Sequence, residues 1–356
     1  MFPHEKRTGL SLLRGLPGGR YARQLVRRAV GRAVILLYHR VAELPSDPQL
    51  LGVTRPHFAE HLEILRKQYS PMRLRQLNQA LQEGSFPHRA AIVTFDDGYA
   101  DNLYNAKPLL DRYDLPATVF IATGYLGQPR EFWWDELDRI LLQPGTLPQT
   151  LCLNFNNHPY RWELGDVARY EEPAYRCHRG WNVLEEDRHA RHRLYRALHR
   201  LLRPLSEERQ RAVLDELRAW AGAAPTGRST HQVLSPDGVL QLTEGGLVEV
   251  GAHTVTHPVL SALPAVLQRI EIQKSRACLE EILGRPVTSF AYPYGSSLDY
   301  TAETVALVRE AGFALACSNF AGVIWRRSDR FQLPRVLIRD WDGDEFDRQL
   351  RAFFGG

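Results

Sequence analysis

The sequence predicts an α/β protein built as a distorted (β/α) barrel, and three observations predict it. Short apolar runs with strand character alternate with segments of helical spacing. The Asp and His residues able to do chemistry stand at or just after the ends of those runs, where barrel enzymes carry their active sites. A length of 356 residues is enough for one large barrel with a substantial core.

The elements follow in order. Ala33 to Tyr38 (AVILLY) reads as a buried strand that opens the globular domain and ends at His39. Residues 56–83 carry helical spacing in PHFAEHLEILRKQ and again in LRQLNQALQEG, which stops at Gly84. Ala90–Phe95 (AAIVTF) is a second buried strand and delivers Asp96, Asp97 and Gly98 at its end. NLYNAKPLLDRYD resumes the helical period, and LPATVFIATG (115–124) is a third strand closed by glycine. From about Gln128 to Leu234 the pattern changes to an amphipathic segment, an alternating hairpin-like stretch and a long charged helical region. This predicts a helical and hairpin insertion over 128–234. Its aromatic residues Trp133, Trp134, Trp162 and Trp181 suit either a sugar-stacking groove or the insertion's own core, and the core is the preferred reading. Barrel spacing returns with LVEVGAHT (247–254), the helical LPAVLQRIEIQKSRACLEEIL, VTSFAYPYG (287–295), a further helix and ALACS (314–318). The expected organisation is a basic segment 1–32 and a barrel 33–356 with the insertion inside it.

Composition excludes several classes. With 44% hydrophobic and 24% charged residues, and no apolar run near the ~20 residues that span a bilayer, a transmembrane chain is not expected. A formal charge of +4 is too mild to point to a nucleic-acid partner. The basic N-terminus has no apolar stretch of signal-peptide length, and the four cysteines are widely spaced. A cytoplasmic protein with free thiols is the expectation. Residues 20–33, with Leu25, Val26 and Val30 on one side, are read as a solvated cap, with peripheral contact to an anionic membrane as the alternative.

HTVTH separates His253 and His257 by four positions, which on a helical turn would put both imidazoles on one face. Two imidazoles and one carboxylate of the Asp96–Asp97 pair would make a metal site with open positions, and the other carboxylate is free to act as a base. Either feature alone is weak: HxxxH recurs by chance, and Asp-Asp-Gly is also an ordinary turn or helix start.

TFDDGY (94–99), HTVTH (253–257) and YPYG (292–295), in this order and each after a strand, resemble the motifs of the polysaccharide deacetylases, the NodB-like group also called carbohydrate esterase family four. The resemblance covers the chain from about Ala33 to the end, apart from the insertion. It implies a barrel of that family's type, Asp96 as general base, and Asp97, His253 and His257 as ligands of a divalent metal. Zinc is the first choice, with cobalt, nickel, manganese and iron(II) chemically admissible. It also implies that metal-activated water attacks the acetamide carbonyl and that the backbone N–H of Tyr294 receives the oxyanion. Many members begin the third motif with an Arg that holds the catalytic carboxylate, but Ala291 stands there in this chain. Arg335 and Arg339, on FQLPRVLIRDW, are the candidates to replace it. The family's late Leu-x-His motif is absent after YPYG, whereas Leu37-Tyr38-His39 stands at the other end, as in exopolysaccharide deacetylases with permuted motifs. His39 is therefore the expected general acid. The function implied is removal of N-acetyl groups from N-acetylhexosamine units of a polysaccharide or a glycolipid precursor. O-ester or non-sugar amide hydrolysis, and a non-catalytic carbohydrate-binding module, are the alternatives.

Overall fold

The computed structural model describes residues 32–155 and 158–354. The basic 1–31 segment, and with it the amphipathic reading of residues 20–33, lies outside them apart from Arg32 and Ala33.

Eight strands form one parallel sheet: β1 Ala33–Tyr38, β2 Ser70–Pro71, β3 Ala90–Phe95, β4 Ala117–Ile121, β5 Val248–Ala252, β6 Ser289–Ala291, β7 Leu315–Cys317 and β8 Val336–Leu337. Their order is β7-β6-β5-β4-β3-β1-β8, with β2 beside the start of β3. Every ladder is parallel. All six residues of β1 and of β3 are buried, the continuous apolar pattern of strands covered on both faces. The sheet curls into an open barrel: β7 and β8 do not ladder together, and the seam is spanned by bridges Cys317–Leu333 and Ala33–Ile324. The segment FQLPRVLIRDW thus contributes only the two residues of β8 to the sheet.

Helices cover the strands: α1 Arg55–Gln68, α2 Leu74–Glu83, α3 Lys107–Tyr113, α4 Trp133–Leu141, α5 Glu172–His178, α6 Ala190–Leu202, α7 Glu207–Ala221, α8 Pro236–Thr243, α9 Ala265–Leu283, α10 Ala302–Glu310 and α11 Gly343–Phe354. Gly84 closes α2 in the left-handed conformation, as the sequence signal predicts. The helix predicted after Asp97 begins instead as a π-helical turn, Asn102–Ala106, before α3. Wide turns of this kind gather at functional sites, and this one braces the end of β1.

Between β4 and β5 the chain builds a body with its own core, in which Leu137, Leu141, Leu194, Leu198 and Leu217 are buried. Thr150–Phe155 and His158–Glu163 form the antiparallel hairpin beside it. Trp133 and Trp181 are buried in that core, whereas Trp162 is only partly covered. Arg191 of α6 locks the insertion: its guanidinium is buried and donates to the carbonyls of Leu141, Gln143, Gly145, Val167 and Ala168. These five acceptors take up the donors of a cation that has no carboxylate in contact among the described residues.

Of the glycines among the described residues, Gly251 in β5 has the tightest surroundings. A Cβ there would lie 2.4 Å from Phe120 Cδ1 and 2.7 Å from Ser289 Oγ. Gly251→Ala is therefore expected to destabilise the protein by ~1–3 kcal/mol through overpacking, read as a lowered Tm in thermal denaturation; an unchanged Tm would show that β5 has slack.

Candidate active site

The sheet's register carries the chemistry to one mouth. His39 follows β1, Asp96 and Asp97 follow β3, His253 follows β5, and Tyr294 follows β6. Since all these strands are parallel, their C-terminal ends share one rim. His39, Asp96, Asp97, His253, His257 and Tyr294 all line one cavity of about 330 Å³.

Asp97 Oδ1 lies 3.6 Å from His253 Nε2 and 3.3 Å from His257 Nε2, and one ligand atom from each of the three residues falls within 4.8 Å of the others. All three side chains are buried, and Asp97 Oδ1 has no hydrogen-bond partner. The Nδ1 of His253 meets the carbonyl of Ala291 at 2.7 Å. A carbonyl can only accept, so Nδ1 carries the hydrogen and Nε2 keeps its lone pair for a metal. Ligands at ~2.0–2.1 Å in a tetrahedron stand about 3.4 Å apart, close to the separations from Asp97 to the two histidines. The group thus fits a divalent metal ion.

The two histidines do not converge on a helical turn, as their spacing suggests. Residues 253–257 form a loop with Thr254 at φ 65° and His257 at φ 57°. Glu271 of α9 holds this loop, accepting from the N–H groups of Val255 and Thr256 at 2.8 Å each and from the Thr256 hydroxyl. Asp97 (φ 74°) and Tyr294 (φ 58°) are left-handed as well. Four such non-glycine residues in one site store strain, ~1–3 kcal/mol each by the usual cost, which the surrounding packing has to offset.

Asp96 is gripped by Arg335, whose two terminal nitrogens meet its two oxygens at 2.7 and 2.6 Å. Arg335 Nε donates to the Ser318 carbonyl at 2.7 Å, and the guanidinium is fully covered. Of the two candidate arginines, Arg335 supplies this restraint; Arg339 instead donates to the carbonyls of Gln49 and Leu50. Burial by itself would raise the Asp96 carboxyl, but Arg335 and then His253 outweigh it and hold it below the ordinary range. Asp97 is likewise pushed up by burial and brought down to about 2 by His253 and His257. Burial lowers His257 to about 3 against the pull of Asp97.

His39 sits half-buried at the end of β1, and burial lowers its basicity against the opposing fields of Asp97 and Asp96. Its backbone is braced by the residues after the Asp pair: Asn102 Nδ2 donates to the His39 carbonyl at 2.9 Å, while Asp101 accepts from Arg40 Nε and Val41 N–H. The Tyr294 N–H has no backbone partner among the described residues, and the Gly295 N–H turns back to Pro293 O at 2.6 Å.

The far wall of the cavity holds Trp134, for which a groove was the less favoured reading, and two residues that sequence reasoning missed, His199 and Arg203. Trp134 from α4, and His199 and Arg203 at the end of α6, reach into it from the insertion. Arg203 lies over the Tyr294 ring at 4.4 Å and pairs with buried Asp299 at 2.5 Å. Asp299 in turn accepts from Ser296 N–H and Oγ, which steadies the turn after Tyr294. An arginine spaced one helical turn from His199 was the available signal, but only packing could say which face it shows.

The parallel open barrel, with a carboxylate and two histidines grouped at its C-terminal mouth, defines the class of barrel enzymes that work at the ends of their strands. A model of the polysaccharide deacetylase family matches residues 83–146 and 199–316, half of the chain, and includes the Asp pair, HTVTH and YPYG. The chain belongs to the polysaccharide deacetylase family. His39 and Arg335 fall outside the matched residues. A poly-beta-1,6-N-acetyl-D-glucosamine N-deacetylase of Staphylococcus aureus is 31% identical over 109 residues, 27% of this chain and 38% of that protein. The match spans little more than a third of the curated relatives' length. The fold is shared with the Streptococcus pyogenes deacetylase PplD, solved with acetate (TM-score 0.56, 16% identity, 90% of this chain and 98% of that one). It is shared equally with IcaB from Ammonifex degensii (TM-score 0.55, 19% identity, 92% and 98%).

Proposed function

We propose that this chain removes N-acetyl groups from N-acetylhexosamine units of a polysaccharide or its precursor, in a metal-dependent hydrolysis. The observation that carries the reading is the convergence of Asp96, gripped by Arg335, with the Asp97–His253–His257 group in one cavity. The action named for the S. aureus relative supports the choice of substrate class.

Asp97, His253 and His257 are the residues that would hold the metal, zinc first, which when bound supplies Lewis acidity toward the acyl oxygen and makes a nearby water more acidic. Asp96 takes the proton from the attacking water. Arg335 occupies one direction on each of its oxygens, and a carboxylate accepts at about four, so room remains for that proton. The Tyr294 N–H donates to the oxyanion, and the left-handed turn around it fixes the donor before the substrate arrives. His39 protonates the departing amine nitrogen. Burial lowers its basicity, and the nearby charges of Asp97 and Asp96 oppose that and favour the protonated ring that the acid role requires.

The test is acetate release from N-acetylglucosamine oligomers, before and after chelation and metal restoration, with matched O-acetyl sugars alongside. Asp96→Asn is expected to lower the rate ~10²–10⁴-fold, as loss of a general base does, while the protein still binds metal. Release from the esters alone would replace the amide reading. No release by folded, metal-loaded protein would overturn it.

A further inference from the structure

The charges lining the cavity are paired, with one exception. Asp96 is matched by Arg335, Asp299 by Arg203, and Asp97 belongs to the metal-ligand group. Arg339 also lines the cavity, and no carboxylate contacts it among the described residues. The carboxylate that bears on it, Asp47, spends its two oxygens on the N–H groups of Leu51 and Gly52. Arg339 is nonetheless held in place. One terminal nitrogen donates to the carbonyls of Gln49 and Leu50, and Leu50 adopts a left-handed φ of 56° in the turn that presents its carbonyl. The remaining guanidinium donors have no protein partner among the described residues, so a fixed, partly buried cation faces the cavity with capacity to spare.

We propose that Arg339 forms an anion subsite, and that the substrate is an acetamido sugar carrying a negative group, a phosphate or a carboxylate, on the sugar itself. Topology places that group. Arg339 lies two residues beyond β8, which pairs with β1 through Leu37 and Leu337, and His39 directly follows β1. The anion subsite and the proposed acid for the amine nitrogen therefore stand at the ends of adjacent strands, on the side where the sugar remains after the acetyl group departs. Arginine suits the role because its planar fork matches either oxyanion in two contacts. The cavity, about 330 Å³, is at the small end of the ~300–1,000 Å³ typical of ligand clefts, which favours recognition of a single decorated sugar unit over a long neutral polymer. The identity of the sugar rests on the deacetylase reading; the anion subsite does not.

The experiment measures binding to the full-length, metal-free protein by tryptophan fluorescence, since Trp134 lines the same cavity. The probes are N-acetylglucosamine 1-phosphate, an N-acetylhexosaminuronate and the neutral methyl glycoside of N-acetylglucosamine. At least one anionic probe is expected to bind tenfold or more tightly than the neutral one, and which of the two does so tells phosphate from carboxylate. Arg339→Gln should remove most of that ratio, and Arg339→Lys should keep part of it. A ratio near one in the unaltered protein, or a ratio that survives Arg339→Gln, overturns the proposal; the first of these needs no variant to fold. Acetate release from the same compounds, measured after the metal is restored, separates the two ideas. Anion preference in binding without release from any probe sinks the deacetylase reading and leaves the subsite standing, whereas release without anion preference does the reverse.

Discussion

Arg335→Met is expected to damage stability and turnover together. The guanidinium is fully covered, Asp96 is 5% exposed, and the two share a pair of hydrogen bonds. Removing one partner of such a pair strands a charge in a poor solvent, which costs ~3–5 kcal/mol. The Asp96 carboxyl would respond by rising, because the arginine is the largest influence now opposing burial. A base that holds its proton cannot take another, so acetate release should fall by ~10²-fold or more. Arg335→Lys would restore the charge but not the paired contact, and should lie between. The double variant Arg335→Met with Asp96→Asn separates the two effects: it should recover part of the lost stability in chemical denaturation and none of the activity. Full stability and activity in Arg335→Met would mean that the pair holds nothing.

Asp97→Ala is expected to give the other large effect, with the opposite balance. Asp97 Oδ1 and His257 Nδ1 are buried without hydrogen-bond partners, so in the metal-free site the cost of desolvating the carboxylate is set against its attraction to His253 and His257. Removing the carboxylate forfeits that attraction together with the desolvation cost, so metal-free stability should fall less than in Arg335→Met. What should vanish is the response to metal. An ion at 100 times its Kd raises stability by ~2.7 kcal/mol by mass action, and this gain should appear as a higher Tm in the parent and not in Asp97→Ala. Metal Lewis acidity contributes several kcal/mol to such hydrolyses, so acetate release should drop by ~10³-fold or more. A variant that still gains Tm with zinc and still turns over would remove Asp97 from the ligand set.

Much of this was legible in the chain. The buried runs of β1 and β3 are hydrophobic end to end because both faces of a parallel strand are covered, and that pattern is local. Asp96, Asp97, His253 and His257 could be named because the short motifs TFDDGY and HTVTH, each after a strand, resemble those of a known family. The loop around HTVTH was not legible in the same way. Its spacing is that of a helical face, yet Thr254 and His257 turn left-handed under the hold of Glu271, a residue on a separate helix.

The sequence by itself determined the order of the elements, the family resemblance and the identity of the residues with chemistry, since these rest on periodicity and on spacing along the chain. Only the tertiary structure decided which arginine replaces the one missing at Ala291. Arg335 and Arg339 stand four residues apart on the same segment, and one grips Asp96 while the other is left facing the cavity. It alone also brought Trp134, His199 and Arg203 of the insertion to the mouth of the barrel. The physical reason is the same in each case: these pairings join residues far apart in the chain, and packing selects them without leaving a local pattern in either partner.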